Sequence, residues 1–423
     1  MRVLIINTSE RTGGAAVAAQ RLCEALNNNG VKAKMMVRDK ETDDITVVGT
    51  KNGWRAQAGF LWERWCVYCH LHFSRKHLWE IDIANAGTDI TKTREFREAD
   101  VIHLSWINQG MLSLKTIRKI LRSKKAVVWT MHDLWPATAI CHYARGCERF
   151  KSRCSNCPLL PGKGSKHDLA AKTWQRKART LAHYTISFVG CSRWLTDQAK
   201  QSALLRGQQV TSIPNPINNH LYKPVDKADA RRRAGLPSDR KIILFVSQKV
   251  TDQRKGLSYF KEALDKLAES HPEEKGQIAV AILGGHAEEV GELPFETFPM
   301  GYVNDTLKLI QIYNAADVYV LPSLEDNLPN TIMEAMACGV PSVGFYVGGI
   351  PEMIDHTKNG YVAQVRNAND LAKGIYWVLR EADAKALRDN ALHKVSTMYS
   401  QQAVAMKYIE VYNQALALKH YHI

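Results

Sequence analysis

Short apolar runs closed by glycine or polar turns alternate along the chain with longer stretches of helical period. Residues 3–7 have the continuous apolar pattern of a strand buried on both faces. They lead into Thr12-Gly13-Gly14 and an Ala-rich stretch of helical period over 15–27, which Gly30 ends. Further apolar runs at 33–37, 101–104, 126–130 and 187–190, each followed by a polar or glycine-containing turn, extend the series. This alternation predicts a mostly parallel sheet with crossover helices.

A second series begins at 241–247 and continues through 278–283, 317–321 and 341–345, with helical periods at 256–267, 304–315 and 330–337. Between the two series lies Ile213-Pro214-Asn215-Pro216-Ile217, where two prolines in three residues exclude regular helix and favour an extended connector. The fold class is therefore α/β, with two doubly wound Rossmann-like domains at 1–215 and 216–400. The tail, 401–423, is apolar at helical spacing (Val404, Tyr408, Val411, Ala415, Leu418) and can pack back on the first domain or on the second.

Composition agrees with two domains: 423 residues exceed what one core usually supports, and 45% apolar with 23% charged residues are ordinary globular values. Residues 2–9 lack the basic stretch, long apolar run and cleavage site of a secretory signal. No run approaches the ~18 consecutive apolar residues of a spanning helix. The expected location is the cytoplasm, with any membrane association peripheral, at the inner face of the cytoplasmic membrane. Nine cysteines in a reducing compartment make a disulfide framework improbable.

Charge is lopsided. Residues 1–210 hold 34 Lys+Arg against 17 Asp+Glu, and the remainder 23 against 25, so the first half carries +17 and the second −2 of the total +15. Either an anionic partner meets the first half or the charge is a solvated basic surface. No nucleic-acid-binding motif accompanies it, so nucleic acid is not an expected partner.

Several residues stand where chemistry is done in such sheets. Gly13-Gly14, between strand and helix, lets backbone approach a phosphate at the positive helix start, although a glycine turn is often only a turn. Lys249 and the pair Arg254-Lys255 follow the run at 241–247, Gly284-Gly285 follows that at 278–283, and His132-Asp133 follows that at 126–130. The densest signal is Pro322-Ser-Leu-Glu-Asp326-Asn327-Leu328-Pro329-Asn330-Thr-Ile-Met-Glu334-Ala-Met-Ala-Cys-Gly-Val-Pro341. There a loop delivers backbone amides to a helix start, and Glu334 sits about one turn into that helix.

This segment closely resembles the donor-site signature of the family-4 retaining glycosyltransferases, two carboxylates separated by seven residues and followed by Ala-Met-Ala-Cys-Gly. Asp326 and Glu334 occupy the carboxylate positions, aspartate replacing the family's usual glutamate at the first. The resemblance implies the GT-B fold, two Rossmann-like domains facing across a cleft, and transfer of a sugar from a UDP- or GDP-sugar to an acceptor hydroxyl. In that reading Lys255, with Lys249 where the family carries arginine and Arg254 beside them, holds the departing diphosphate. Glu334 accepts the ribose hydroxyls and Asp326 those of the sugar. Met300-Gly301-Tyr302-Val303 contacts the base, Gly284 lies near the phosphate or ribose, and His132 faces the transferred sugar. No cofactor is implied, because front-face attack with a donor phosphate oxygen as base makes catalysis mainly positioning and charge stabilisation. The further resemblance to exopolysaccharide and colanic-acid-type sugar transferases implies surface polysaccharide assembly and a saccharide or lipid-linked saccharide acceptor. A rival reading is a non-catalytic nucleotide-sugar or polysaccharide-binding protein of the same fold, for which the Asp326 and Lys249 departures leave room.

Two features lie outside that signature. Cys141, Cys147, Cys154 and Cys157, beside His142, can supply four thiolates to a structural zinc, although the first two gaps are wide for such a site; a transient disulfide or free thiols are the alternatives. Residues 54–79 interleave Trp54, Phe60, Leu61, Trp62, Trp65, Val67, Tyr68, Leu71, Phe73 and Trp79 with Arg55, Arg64, Arg75 and Lys76. They suit either a helix lying on an anionic membrane or an apolar lid packed into the first domain.

Overall fold

Seven parallel strands form the first sheet: β1 (Arg2–Ser9), β2 (Lys32–Asp39), β3 (Val47–Gly49), β4 (Val101–Leu104), β5 (Ala126–Met131), β6 (Ser187–Gly190) and β7 (Gln209–Ser212). Their order is β3-β2-β1-β4-β5-β6-β7, so β1 pairs with β2 on one side and β4 on the other, Ile5 lying opposite both Met35 and His103. The computed structural model describes residues 1–50 and 53–420. The side chains of Arg55, Lys419 and His420 and the tail positions 421–423 lie outside the described residues.

By contacts the chain divides into two units, one comprising Met1–Pro214 with the chain from Val404 onward, the other Asn215–Ala403. In the first, Val3, Ile5, Leu22, Leu26 and Val128 pack with Val404, Tyr408, Val411 and Tyr412 of the final helix, Gln401–His420. A buried polar chain joins helix to sheet. The His103 ring nitrogens bond Tyr412 Oη at 2.6 Å and Thr130 Oγ1 at 2.8 Å, and Thr130 Oγ1 meets Tyr408 Oη at 2.9 Å. Burial, then neighbouring His132, pulls the His103 pKa down to about 3, so the imidazole in this chain is neutral.

The second unit holds six parallel strands: β8 (Lys241–Lys249), β9 (Ile278–Gly285), β10 (Glu296–Gly301), β11 (Val318–Leu321), β12 (Ser342–Phe345) and β13 (Gly360–Ala363). The order is β10-β9-β8-β11-β12-β13. Phe245, Phe260, Leu264, Ile282, Val320 and Phe345 form its core. The chain leaves β8 for β9 on one side and later returns to lay β11 on the other, so strand order reverses between β8 and β11. The carboxyl ends of these two strands open side by side, and doubly wound sheets bind their ligands at such a reversal.

Candidate functional site

β8 ends at Lys249, whose side chain is exposed, and a one-turn 3-10 helix (Gln253–Lys255) follows, started by the Asp252 carboxylate accepting from Arg254 N at 3.0 Å. Gly256 closes that turn at φ 75°. A Cβ there would fall 1.9 Å from the Pro322 carbonyl oxygen, so only glycine lets the segment press against the loop leaving β11. Across this contact Leu324 N donates to Arg254 O at 2.8 Å and Arg254 Nη1 to Glu325 O at 2.8 Å.

The two strand ends meet at a charge pair. Lys255 Nζ donates to Asp326 Oδ2 at 2.6 Å, with Ser323 Oγ donating to the same oxygen at 3.1 Å and Arg254 Nη1 lying 3.7 Å away. Burial would push the Asp326 carboxyl up, but Lys255, Arg254 and Ser323 outweigh it and hold the group below the usual carboxylate value, so it is ionised. Its loop is clamped by the turn after β12: Gly349 N donates to Asn327 O at 2.7 Å, and a Cβ on Gly348 (φ 53°) would fall 1.6 Å from Asp326 O.

Asn327, Leu328 and Pro329 are buried and lead into the helix Asn330–Ala337. Pro329 is the N-cap. It makes no side-chain cap hydrogen bond and the first turn carries no acid, so no local carboxylate offsets the positive end of the helix dipole. Asn330 accepts from Asn215 Nδ2 at 3.1 Å. Glu334, buried in the next turn, accepts a hydrogen bond from Tyr313 Oη at 2.7 Å. Burial and the Glu334 charge drive the Tyr313 pKa well above that of an ordinary phenol, so this hydroxyl keeps its proton and always donates. Tyr319, at the middle of β11, bonds Thr331 Oγ1 at 2.8 Å; after burial, the charges of both Asp326 and Glu334 raise its pKa, placing this phenol within the field of the two acids.

Residues 240–381, which span this arrangement apart from Asn215, match the family model "Glycosyl transferases group 1". The chain is 32% identical over 201 residues to an uncharacterised glycosyltransferase of Methanocaldococcus jannaschii, covering 46% of this chain and 50% of that protein. It is 26% identical over 225 residues to the D-inositol 3-phosphate glycosyltransferase of Thermobispora bispora, covering 50% and 52%. The chain thus spans about half the length of the curated relatives it matches. Among solved structures, sucrose-phosphate synthase of Thermosynechococcus elongatus superposes with a TM-score of 0.64 at 18% identity over 99% of this chain and 100% of that one. Anabaena HepE in complex with UDP gives 0.63 at 16% over 98% and 100%. This is the GT-B glycosyltransferase fold.

Within that fold the sequence-derived residues fall in two groups, each placed in its own unit. Lys255, Arg254, Asp326, Glu334 and residues 327–330 gather at the β8 and β11 ends. Lys249 is exposed at the end of β8, and Tyr302, 58% exposed, follows β10 with half-buried Val303. Gly284 is next to last in β9, where a Cβ would fall 1.8 Å from the Ser247 carbonyl oxygen, so its missing side chain is taken up by β8 backbone. Tyr313, Tyr319 and Ser323 are the residues sequence reasoning missed. Only Ser323 left a signal, standing three residues before the acid it bonds.

In the first unit Gly13 (φ 90°) caps the helix Gly14–Asn28 without a side-chain acceptor. His132 Nε2 meets Ser105 Oγ at 3.1 Å, and burial, only partly offset by Asp133, lowers its pKa to about 4, so it is neutral at pH 7. Asp133 accepts from Trp106 Nε1 at 2.8 Å and lies 2.7 Å from His142 Nδ1, whose Nε2 lies 2.7 Å from Asp82. Burial opposes the charge on His142, but the two flanking carboxylates prevail and raise its pKa to about 10: a buried imidazolium between two acids.

Cys141, Cys147, Cys154 and Cys157 are free thiols bordering one cavity of about 20 Å³. Burial pushes Cys154 up to about 12 and Cys157 up to about 11. Among the described residues the group of His, Cys, Asp and Glu ligand atoms lying within 4.8 Å of one another is exposed His286, Glu288 and Glu289; the cysteines form no such group. Four thiolates around one zinc ion at about 2.3 Å would lie about 3.8 Å apart, so the thiols as placed do not yet fit a shared ion.

Proposed function

We propose that the protein is a retaining glycosyltransferase that moves a sugar from a UDP- or GDP-activated donor to an acceptor hydroxyl in surface polysaccharide assembly. The observation that carries the reading is the Lys255–Asp326 pair at the strand-order reversal, beside a helix start whose first turn carries no acid and one turn from Glu334. The donor diphosphate lies at that helix start, with Lys255, Arg254 and Lys249 supplying positive charge. Asp326 takes sugar hydroxyls and Glu334 the ribose. As the acceptor oxygen bonds the anomeric carbon, the bond to the diphosphate breaks, and the acceptor proton passes to a donor phosphate oxygen. Negative charge grows on the leaving diphosphate, where a fixed ammonium lowers the barrier most. His132 offers a neutral imidazole for hydrogen bonding to sugar in its own unit. The group 1 match over 240–381 supports the reaction class, and the UDP complex of Anabaena HepE supports a uridine donor.

A thermal-shift series with UDP, GDP, ADP and their sugars tests the reading. One uridine or guanosine diphosphate is expected to raise the melting temperature by mass action, about 2.7 kcal/mol at a hundredfold excess over Kd. The matching sugar nucleotide should then release that diphosphate when an acceptor is supplied. If neither UDP nor GDP shifts melting, the reading fails.

For the four cysteines the proposal is a structural zinc whose binding draws the sulfurs together. Protein purified without added metal should carry about one zinc per chain, and a content near zero ends the idea.

A further inference from the structure

The helix Gly53–His70 has two apolar faces. Ala56, Glu63, Arg64 and Val67 are buried, and Val67 joins Leu71, Ile81, Ile83, Ile140 and Leu160 in a local core. At 3.6 residues per turn, Trp54, Leu61, Trp62 and Trp65 fall within an arc of about 100° on the opposite side. All four are exposed, by 70%, 57%, 57% and 53%, and so are Phe73 and Trp79 in the chain that follows. Ring contacts form two groups: Trp65 lies 6.4 Å and Tyr68 5.6 Å from Phe73, and Phe60 lies 6.2 Å from Trp79. Several large apolar side chains exposed on one face of a helix mark an interaction site.

The helix cannot roll to hide it. Glu63 accepts from Ile83 N at 2.9 Å, Ala84 N at 2.6 Å and Gly110 N at 3.1 Å. Arg64, its neighbour, donates to Leu78 O at 2.7 Å and to the Asp82 carboxylate. Turning the aromatics inward would pull both side chains off these partners, so the inward pair fixes the outward stripe.

Charge selects the occupant. Glu63 is the one acid between residues 54 and 79, and it points inward. Arg75 and Lys76 are exposed next to the stripe. Tryptophan rings, apolar with one polar N–H, settle at the level of lipid headgroups, and cations beside them favour an anionic surface. No helix among the described residues is long and apolar enough to cross a membrane, so contact of this kind is with the surface. We propose that this face docks on an anionic lipid bilayer with the helix Gly53–His70 lying in the headgroup plane. The inference stands independently of the proposed transferase reaction.

Full-length protein is to be sedimented with phosphatidylglycerol vesicles and, separately, with phosphatidylcholine vesicles at low salt. Phosphatidylglycerol should bring it down with a blue shift of tryptophan emission, phosphatidylcholine far less, and added salt should release it. The double variant Trp62→Ser/Trp65→Ser should lower the partition coefficient by about tenfold or more with melting unchanged, since both side chains are already exposed. Arg75→Glu/Lys76→Glu should erase the preference for the anionic lipid. No sedimentation with phosphatidylglycerol, or sedimentation that the tryptophan variant leaves intact, overturns the proposal. So does a dimer in solution that Trp62→Ser abolishes in a protein that ignores vesicles, because the face then belongs to a second copy.

Discussion

Lys255→Met is expected to slow sugar transfer by about 10²–10³-fold, the usual cost of deleting one preorganised donor aimed at charge that develops in a transition state. The loss should fall on kcat more than on KM, because the ammonium matters most once the diphosphate begins to leave. The same side chain also neutralises Asp326, so a structural effect must be separated from a chemical one. Asp326 in the variant keeps Ser323 Oγ at 3.1 Å and the Arg254 guanidinium at 3.7 Å, so the loop should stay folded. What changes is its acid titration. In the parent protein the carboxyl is held below its ordinary value, so its contribution to stability is present above the unfolded pKa of about 3.9 and is lost as pH falls through the lower folded value. Without Lys255 the folded pKa rises, and melting followed from pH 6 downward should fail at a higher pH than in the parent. A variant that melts normally at pH 7 yet transfers sugar within about tenfold of the parent would remove Lys255 from the chemistry.

The strands legible in the sequence and those that were not differ by position in the sheets. β1, β2, β4, β5 and β6 of the first sheet and β8, β9, β11 and β12 of the second are interior, and each announces itself as an apolar run, because both faces are covered by helices. The four unforeseen strands, β3, β7, β10 and β13, are the four edges. β7 alternates exposed and half-buried residues, and β10 is half-buried or exposed throughout. These two edges bury little, so hydrophobic period cannot find them, whereas β13 is buried at three of its four positions and is missed only because four residues are too few to mark a period. The contact division puts Asn215 in the second unit and begins the return to the first at Val404.

The site divides in a similar way. Asp326 and Glu334 lie in one continuous segment, and the turn that carries Lys255 is fixed by Gly256 and Pro322, so local pattern reaches them. Tyr313 is invisible because it meets Glu334 across two helices, at a helix–helix register that spacing alone does not set. The aromatic stretch at 54–79 posed the complementary problem. Its period identifies a helix with apolar residues all round, but which face turns inward is decided by Glu63 and Arg64 finding distant partners in Ile83, Gly110 and Asp82.

Glu334→Gln is expected to weaken nucleotide binding by about 100-fold or more with little effect on the rate from bound donor. Two hydrogen bonds from vicinal hydroxyls to a carboxylate are each charge-assisted, at about 1.5–3 kcal/mol, and the amide keeps only one acceptor atom while adding donors that face donors. The buried setting sharpens the effect. Tyr313 Oη donates to Oε2 at 2.7 Å, so a glutamine oxygen that keeps this bond leaves its NH₂ facing the ribose hydroxyls, and in the flipped amide the tyrosine must turn its own proton away to accept from the NH₂. Tyr313→Phe should have a smaller consequence of a different kind. It leaves Oε2 short of its donor, costing about 1–3 kcal/mol of stability, while affinity falls only several-fold because the carboxylate itself persists. Calorimetric titration of UDP into the parent, each single variant and the double variant reads both effects, and the deviation from additivity measures how far the tyrosine works through the glutamate. Were Glu334→Gln to remain folded and bind UDP within about threefold of the parent, no ribose hydroxyls could be bonded to this carboxylate, and the nucleotide would have to lie elsewhere on the second unit.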